Sequence, residues 1–389
     1  MIDFNFEIRT RIIFGKDKHL EVGKTLKEYN SKKVMIFIGQ GSVKKSGLLN
    51  SICEKLKEEQ IDFTVVEGIR PNPTVDLARE FLKVAREYKP DFLLAVGGGS
   101  VIDTAKLVSV GYYYDGDCFD FNMHKTQPKQ ALPIGVILTI AAAGSEMSTS
   151  CVIQDDKTMI KRGFNSELIR PMFAIENPEL TYSVSPRQTM NGIVDIMMHT
   201  MERYFQPSCD NEPADGFAEA LLKSVIIAGK KVIDNPNDYE SRAVLMLNSS
   251  LSHNGLTNIG KKFFMPVHQL EHALSGVYPE VSHGAGLAVL FLAWAKYYVN
   301  IDTDKFDKFA RNVFGLNNPN KLENGINGIK ELEKFFKSIN APLTFKELEL
   351  TNPDVDKLLD VLFDNGKTEI PHHIKSMNRE IARIIYESC

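Results

Sequence analysis

The pattern of apolar residues changes once along this 389-residue chain, at Ser185. Before that point short β-rich runs alternate with helical patterns, and after it almost only helical periodicity is found. Residues 92–96 (FLLAV) are apolar on both faces, which is typical of a parallel sheet covered by helices on both sides. The pattern therefore predicts an α/β domain with a parallel sheet over residues 1–184 and an all-helical domain over residues 185–389.

Strands and helices can be placed along both predicted domains. The β-rich runs predict strands at residues 33–38, 61–66, 92–96, 133–138 and 172–175. A helical pattern covers residues 75–88, directly after the Pro71-Asn72-Pro73 turn. Ser185 followed by Pro186 is typical of a helix start. Helices are predicted after it at residues 186–205, 212–233, 239–252, 266–275, 283–299, 303–314, 322–339, 353–364 and 376–388.

Charge and composition argue against two classes of partner. The net charge of −4 gives no support to binding of nucleic acid or of an anionic membrane surface. The most apolar run, residues 286–295, is about half the ~20 residues that a membrane span needs, so we interpret it as a core helix. The start MIDFNFEIRT lacks a secretory pattern, and the five cysteines form no CxxC motif. We therefore expect a cytoplasmic protein with free thiols.

A carboxylate and an imidazole lie on one face of an apolar helical segment. Asp195 and His199 are four residues apart in NGIVDIMMHTME, and residues at that spacing share a helix face. An unpaired buried carboxylate is unfavourable by several kcal/mol or more, so a positive group is expected beside Asp195. A divalent metal fits this requirement. From these two residues alone, a buried Asp–His pair bonded to the backbone is the favoured explanation.

More histidines follow, and they favour the metal. His268 and His272 form a second pair at helical spacing, and His283 stands at a predicted helix start. Five of the nine histidines fall between residues 199 and 283. One carboxylate and several imidazoles are suitable ligands for iron or zinc. The pattern indicates a metal site in the helical half.

Two glycine-rich turns follow predicted strands. Gly97, Gly98 and Gly99 come after residues 92–96, and Ser100 is predicted to cap the next helix with Asp103 in a capping-box arrangement. A glycine turn at a helix start is suited to a phosphate, although a turn without a ligand explains the residues as well. The stretch is not a GxGxxG fingerprint, and no Walker lysine follows it.

The second turn has the sequence GQGSVKK, residues 39–45. In a dinucleotide site, an acidic residue at such a strand end would bind the adenosine ribose and repel a 2′-phosphate. No acidic residue is present, and serine and lysine are residues that a 2′-phosphate would favour. The alternative is an ordinary polar turn with solvated lysines.

Together these motifs resemble the iron-containing, metal-dependent alcohol dehydrogenases, closest to their butanol dehydrogenase and broad aldehyde reductase branch. The resemblance covers nearly the whole chain. It is carried by the stretches RPNPT (70–74), LLAVGGGSVIDTAK (94–106), AAAGSEM (141–147), IVDIMMH (193–199), HQLEH (268–272) and SHGAGLA (282–288). It implies a fold with an N-terminal dinucleotide-binding α/β domain and an all-α C-terminal domain, similar to that of dehydroquinate synthase.

The resemblance also implies roles for individual residues. Asp195, His199, His268 and His283 match the metal ligands, and His272 matches a histidine near the nicotinamide. The remaining matches concern the cofactor: the pyrophosphate turn at Gly98, Gly99 and Ser100, and a groove lined by Asn72, Thr139, Val152, Lys161 and Leu180. Gly39 replaces an aspartate of NAD-preferring members, and the pattern of Gly41, Ser42 and Lys45 is similar to that of NADP-using ones.

The activity implied is the interconversion of primary alcohols and aldehydes of butanol and butanal type, by hydride transfer with NAD(P)(H). The metal implied is Fe²⁺, with Zn²⁺ as the alternative, and NADP(H) is favoured over NAD(H). A homodimer is implied as well. His272 is a candidate proton relay, and a cofactor-orienting role explains it equally. The alternatives are a metal- and nicotinamide-dependent lyase of the dehydroquinate-synthase type, which should carry a basic cluster near the metal, and a catalytically silent binding protein.

Overall fold

The computed structural model describes residues 1–206, 211–372 and 374–389, without the side chain of residue 365. The chain forms two compact units. One consists of Glu7–Val184, and the other of Met1–Phe6 together with Ser185–Cys389. The first six residues were expected in the N-terminal domain, but they group with the helical unit, where the Ile2 N–H donates to the Gly260 carbonyl at 3.0 Å.

The unit formed by Glu7–Val184 contains a parallel sheet, as predicted. The strands of this unit are β1 Arg11–Phe14, β2 Lys33–Gly39, β3 Asp62–Ile69, β4 Phe92–Gly97, β5 Ile134–Leu138, β6 Ser150–Asp155, β7 Ile160–Asn165 and β8 Phe173–Glu176. Six of them form the sheet in the order β1-β8-β5-β4-β2-β3, and all of their pairings are parallel. The central strand β4 is buried along its whole length, which explains why it is apolar on both faces.

Strands β1, β6 and β7 were not predicted. β1 has only four residues at the edge of the sheet, too few to show a period. Strands β6 and β7 form a separate antiparallel hairpin in which Val152 pairs with Gly163 and Gln154 pairs with Lys161. Charged residues and a glycine in β7 conceal the strand pattern, because they are uncommon in strands.

Helices cover the sheet of this unit. The longest are α4, which matches the predicted residues 75–88, and α5, which starts at the first glycine turn. The helices are α1 Val22–Glu28, α2 Ser42–Lys45, α3 Leu48–Glu58, α4 Val75–Tyr88, α5 Gly99–Gly111 and α6 Phe119–Asn122. Short 3₁₀ helices lie at Lys18–Glu21, Ser145–Met147, Glu167–Ile169 and Pro178–Thr181.

The second unit is mainly helical, as predicted. The Ser185 hydroxyl accepts the Gln188 N–H at 3.3 Å and so caps α7. The helices are α7 Pro186–Tyr204, α8 Glu212–Asp234, α9 Tyr239–Ser252, α10 Pro266–Val277, α11 His283–Tyr298, α12 Thr303–Phe314, α13 Lys321–Ser338, α14 Val355–Leu362 and α15 Arg379–Glu387. Two 3₁₀ helices, Leu256–Asn258 and Asp364–Gly366, complete the set.

Two details of this unit differ from the prediction. It is not entirely helical, because β9 Glu369–Ile370 and β10 Met377–Asn378 form a short antiparallel ribbon. Consequently the last helix begins at Arg379 and not at residue 376, with the Asn378 side chain as its cap. The apolar helix α11 is buried for most of its length, and among the described residues no helix is both long and apolar enough to cross a membrane.

Candidate metal centre and cofactor turns

Helix α7 presents Asp195 and His199 side by side. Both side chains are buried, and His199 Nδ1 lies 3.0 Å from Asp195 Oδ1. His199 Nδ1 also lies 3.0 Å from the main-chain carbonyl of Asp195. A carbonyl oxygen can only accept, so this contact places the ring hydrogen on Nδ1 and leaves a lone pair on Nε2. His199 is therefore oriented by its own helix to bind with Nε2.

His268 is oriented by an acidic side chain of α7. The ring of His268, in the first turn of α10, donates from Nδ1 to the carboxylate of Glu202. Glu202 is buried and also accepts the main-chain N–H groups of Val267 at 2.7 Å and His268 at 3.2 Å. A carboxylate on one ring nitrogen fixes the tautomer and directs the other nitrogen, Nε2, toward a metal.

His283 is held in the same way from another element. It is the first residue of α11, and its Nδ1 contacts the buried carboxylate of Glu271 on α10. Its Nε2 lies 3.8 Å from Asp195 Oδ1. The following residue must be glycine, because a Cβ on Gly284 would lie 2.2 Å from the Asn191 carbonyl of α7. Close contact of the two helices thus brings His283 to Asp195.

The four predicted ligands converge on one place. Ligand atoms of Asp195, His199 and His268 lie within 4.8 Å of one another, and the ring centroids of His268 and His283 are 5.3 Å apart. Asp195 Oδ1 and His268 Nε2 are both buried. Asp195 Oδ1 lies 3.0 Å from His199 Nδ1, which it shares with the Asp195 carbonyl. His268 Nε2 has no hydrogen-bond partner among the described residues. Such atoms are unfavourable unless a ligand satisfies them. One carboxylate and three imidazole nitrogens fit a divalent transition metal.

The ionisation states of these side chains suit a cation. Burial opposes ionisation of Asp195, but the adjacent His199 outweighs it and the pKa of the carboxyl falls to about 2. Burial lowers the pKa of His268 well below its usual value, and the neighbouring His199 and His283 lower it further. At neutral pH Asp195 is therefore ionised and His268 neutral, which are the forms that bind a metal.

Two further histidines border the centre. The half-buried ring of His272 lies 5.8 Å from that of His283 and 6.3 Å from that of His268. The ring of His253 packs on His199 at 4.2 Å between centroids. Sequence reasoning missed His253 because this residue, which follows the end of α9, has no partner at helical spacing. The sequence feature that could have indicated His253 is that it is one of the five histidines between residues 199 and 283.

The first glycine turn is built differently from the prediction. Helix α5 begins at Gly99 with Gly98 as its N-cap residue, and no side chain caps it, so the predicted capping box of Ser100 and Asp103 is wrong. The Asp103 carboxylate instead accepts the Ser145 hydroxyl at 2.5 Å and the Val152 N–H at 2.9 Å. Close packing explains the glycine at position 98, where a Cβ would lie 2.3 Å from Ile140.

Several of the predicted cofactor-groove residues lie near one another. Lys161 of β7 donates to Asn72 Oδ1 at 3.1 Å, and Asn72 has a left-handed backbone with φ of 54°. Thr139 follows β5, and its N–H donates to the Gly97 carbonyl at 3.2 Å. Leu180 is partly buried against the apolar core of the unit. The structure thus joins Asn72 to Lys161 and Thr139 to the glycine turn.

Known proteins resemble the chain over nearly its whole length. Residues 9–178 match the iron-containing alcohol dehydrogenase family, and residues 189–389 match the C-terminal part of the Fe-containing alcohol dehydrogenase family. The chain is 38% identical over 350 residues to NADH-dependent butanol dehydrogenase A of Clostridium acetobutylicum, covering 90% of each chain. The chain belongs to the iron-containing alcohol dehydrogenase family.

Other members are similar in sequence and in structure. The chain is 31% identical over 391 residues to the NADPH-dependent aldehyde reductase YqhD of Escherichia coli, with 100% of each chain covered. The crystal structure of NADH-dependent butanol dehydrogenase A from Thermotoga maritima superimposes with a TM-score of 0.96 at 33% identity, over 100% of this chain and 98% of that one. These similarities favour an iron-type alcohol dehydrogenase over the lyase alternative.

The basic residues of the helical unit agree with this choice. A lyase should carry a cluster of basic residues near the metal, and two of the three candidates for such a cluster have partners of their own. Arg203 is buried and donates to the His199 carbonyl at 2.6 Å and to the Asn258 side chain at 3.2 Å. Lys261 is buried and paired with Asp215. The remaining one, Lys262, is exposed.

The second glycine turn lies at the end of β2 in this alcohol dehydrogenase. Gly39 ends the strand, and Gly41 has a φ of 127°, which favours glycine. Ser42 and Lys45 are exposed. The intervening Lys44 is ion-paired with Glu67 of the neighbouring strand β3.

Proposed function

We propose that the protein interconverts primary alcohols and aldehydes of butanol type by hydride transfer with NAD(P)(H), using one divalent metal held by Asp195, His199, His268 and His283. The observation that carries this proposal is the convergence of four donors from α7, α10 and α11 in the helical unit. Two of the imidazoles are already fixed by buried carboxylates, which is the usual environment of metal-binding histidines.

When bound, the metal supplies Lewis acidity toward the substrate oxygen. The side chains around the metal contribute charge, orientation and proton transfer. Asp195 brings one negative charge to the site, and imidazoles bind metals as neutral ligands, so the site with Fe²⁺ or Zn²⁺ would keep a net positive charge. His272 is half-buried beside His283, and we assign its ring to accept the hydroxyl proton of the alcohol. Orientation of the nicotinamide is the other role that its position supports.

For the metal we favour Fe²⁺, with Zn²⁺ as the alternative, since three imidazoles and a carboxylate suit both. For the cofactor we favour NADP(H) over NAD(H). No acidic residue stands at Gly39 to repel a 2′-phosphate, and Ser42 and Lys45 are exposed to meet one. Relatives are named for both cofactors, so the residues of this turn carry the argument.

The rest of the cofactor is assigned to residues of the same unit. Gly98, Gly99 and Ser100 are proposed to receive the pyrophosphate at the start of α5, where main-chain N–H groups lack helical partners. Asn72, Thr139, Val152, Lys161 and Leu180 are proposed to line the groove. Asp103 is better assigned to positioning, because both of its oxygens bind residues of the chain.

We also propose a cytoplasmic homodimer. The segment Met1–Phe6 groups with the helical unit and exposes the apolar side chains of Ile2, Phe4 and Phe6, at 44%, 48% and 41%. Alternate apolar residues exposed on a segment outside any helix or strand favour cover by a second copy. Sedimentation of a Phe4→Glu, Phe6→Glu variant should show monomers.

The cytoplasmic assignment is supported by the cysteines. The four described cysteines are free, which suits a reducing compartment, and Cys209 lies outside the described residues.

The test is NAD(P)H oxidation with butanal, followed by absorbance, before and after removal of the metal by chelation. We expect turnover to disappear with the metal and to return with Fe²⁺ or Zn²⁺. His268→Ala should retain neither metal nor turnover. His124→Asn is the matched control, because it removes an exposed imidazole at a left-handed position that asparagine accepts. Full turnover in the metal-free protein would refute the proposal.

A further inference from the structure

A completely buried lysine lies one turn after Asp103 on α5. Lys106 has no exposed surface, and its ammonium group lies within hydrogen-bonding distance of five oxygens. They are the Ser145 carbonyl at 2.8 Å and hydroxyl at 2.9 Å, the Ser148 carbonyl at 3.0 Å and hydroxyl at 3.2 Å, and the Ser150 carbonyl at 2.8 Å. An ammonium has only three N–H groups and cannot donate a separate hydrogen bond to each of the five oxygens. The oxygens therefore surround the charge in the way that a coordination shell surrounds a cation.

Asp103 completes the arrangement from the same face of α5. Its carboxylate accepts the Ser145 hydroxyl and the Val152 N–H, so Asp103 and Lys106 together hold residues 145–152. Burial lowers the pKa of Lys106 to about 8, against the opposing effect of Asp103. An ammonium is kept in this buried position because the surrounding oxygens replace its hydration.

The segment held in this way belongs to the proposed cofactor groove. At one end Ala143 lies against the glycine turn, where a Cβ on Gly99 would be 3.3 Å from the Ala143 Cβ. At the other end Ser150 begins the pairing with β7, in which Val152 lies opposite Gly163, and β7 also carries Lys161. The oxygens around Lys106 therefore organise the chain between two parts of the site.

We propose that Lys106 is a positioning residue that serves as a built-in monovalent cation, and that removing its amine leaves an oxygen shell that K⁺ or NH₄⁺ can occupy. Carbonyl and hydroxyl oxygens are the ligands with which proteins replace the hydration shell of K⁺. The effect on cofactor binding rests on the function proposed above, whereas the cation binding itself does not. If Lys106 only connected α5 to the following loop by hydrogen bonds, the properties of a variant without its amine would not depend on which cation is present.

The experiment compares Lys106→Ala, which opens the shell, with Lys106→Met, which fills the same space without charge. Each variant is measured in KCl, NH₄Cl and choline chloride at equal ionic strength. The readouts are the midpoint of thermal unfolding and the dissociation constant of NADPH from nicotinamide fluorescence. Lys83→Ala, which removes an exposed lysine of α4, is the control.

In choline chloride we expect Lys106→Ala to unfold at a lower temperature and to bind NADPH about tenfold more weakly or worse, the effect of losing a buried charged hydrogen-bond donor. K⁺ or NH₄⁺ should restore much of both properties. The unfolding midpoint and the NADPH affinity should not depend on the choice of salt in three proteins: the wild type, Lys106→Met and Lys83→Ala.

Two results would overturn the inference: a folded Lys106→Ala that responds equally to all three salts, or a Lys106→Ala that folds in none of them. A protein that binds no NADPH in any form would overturn the proposed function instead. In that case the unfolding midpoint would still report whether the cation occupies the shell.

Discussion

The carboxylate of Glu202 contacts His268 twice, once at the ring Nδ1 and once at the main-chain N–H, which is 3.2 Å away. A third donor, the Val267 N–H, lies at 2.7 Å. Burial raises the pKa of Glu202 to about 8, and the two main-chain N–H groups oppose this rise. The first N–H groups of a helix have no partner within the helix, so they are available to the carboxylate. One side chain of α7 therefore both caps α10 and orients His268, the metal ligand that we propose on α10.

Glu202→Gln should weaken metal binding by about 10- to 100-fold, the usual effect of removing a carboxylate behind a metal-binding histidine. The amide offers one accepting oxygen in place of two to the three donors, and its NH₂ group cannot accept a hydrogen from any of them. Competition with a chromophoric chelator measures the affinity for Zn²⁺ or Co²⁺ without reference to turnover. Glu280→Gln changes an exposed carboxylate of the same unit and should bind as the wild type does. Equal affinities in the two variants would contradict an orienting role for Glu202.

Removal of the Asn72 side chain should raise KM for the cofactor while leaving metal content unchanged, because Lys161 loses the oxygen that positions its ammonium. Asn72→Gly and Asn72→Ala should share this effect. The alanine variant should in addition be less stable by about 1 kcal/mol, because the position has positive φ. Asn30→Gly, at an exposed position of similar φ, is the control. An unchanged KM for the cofactor in both Asn72 variants would show that Lys161 does not contribute to cofactor binding.

Glu67→Gln should shift cofactor preference toward NADPH. The carboxylate of Glu67 neutralises Lys44 beside the GQGSVKK turn, and its removal leaves that lysine available to a 2′-phosphate. We expect the ratio of kcat/KM for NADPH to that for NADH to rise by about two- to fivefold, in keeping with an exposed ion pair. Glu58→Gln breaks an exposed pair with Lys55 near the end of α3 and should leave the ratio unchanged. A fall in the ratio for Glu67→Gln would argue against this placement of the 2′-phosphate.

The ion cluster around Asp215 should make stability depend on pH in acid. Burial raises the pKa of Asp215, but Lys305 and Lys261 outweigh it and bring the pKa to about 2, below the usual 3.8. A lowered folded-state pKa stabilises the protein above pH 3.8, by about 2 kcal/mol here, and this contribution is lost as pH falls through 2. The other groups in or beside the cluster are Lys308, Glu212, Glu219 and Tyr204.

Urea unfolding between pH 5 and pH 2 measures this contribution. The double variant Asp215→Asn, Lys305→Met removes the carboxylate together with one buried ammonium, and its unfolding free energy should fall less steeply over that range. Asp304→Asn removes an exposed carboxylate that pairs with Lys321, so the slope should remain that of the wild type. If the unfolding free energy of the double variant has the same pH dependence as that of the wild type, the lysines do not lower the pKa of Asp215.

The sequence predicted strongly patterned elements better than weakly patterned ones. Helix α7 has helical spacing and a capped start, and strand β4 is an unbroken apolar run, whereas β1 has only four residues and β7 contains charged residues and a glycine. The helix start at Ser185 was predicted correctly because its side chain makes the cap. The start of α5 was not, since Gly98 takes the cap position without a side chain, and nothing in a glycine run specifies which residue does so.

The proposed metal site shows the same limit. Spacing on one helix indicated the pair Asp195 and His199, while their meeting with His268 and His283 depends on helix packing. Glu202 and Glu271 went unrecognised, although each follows a predicted ligand by three residues. Both act on a histidine of another helix, so no local spacing connects either carboxylate with the ring it orients.

The contact between Gly284 and the Asn191 carbonyl has a consequence for redesign of the enzyme. Asp195 and His283 are carried by two helices that touch through main-chain atoms, so the span between these donors is set by the backbone. Exchanging apolar side chains nearby to admit longer or branched alcohols should leave that span intact. Substrate range and metal coordination can therefore be altered independently at this crossing, provided that residue 284 stays glycine.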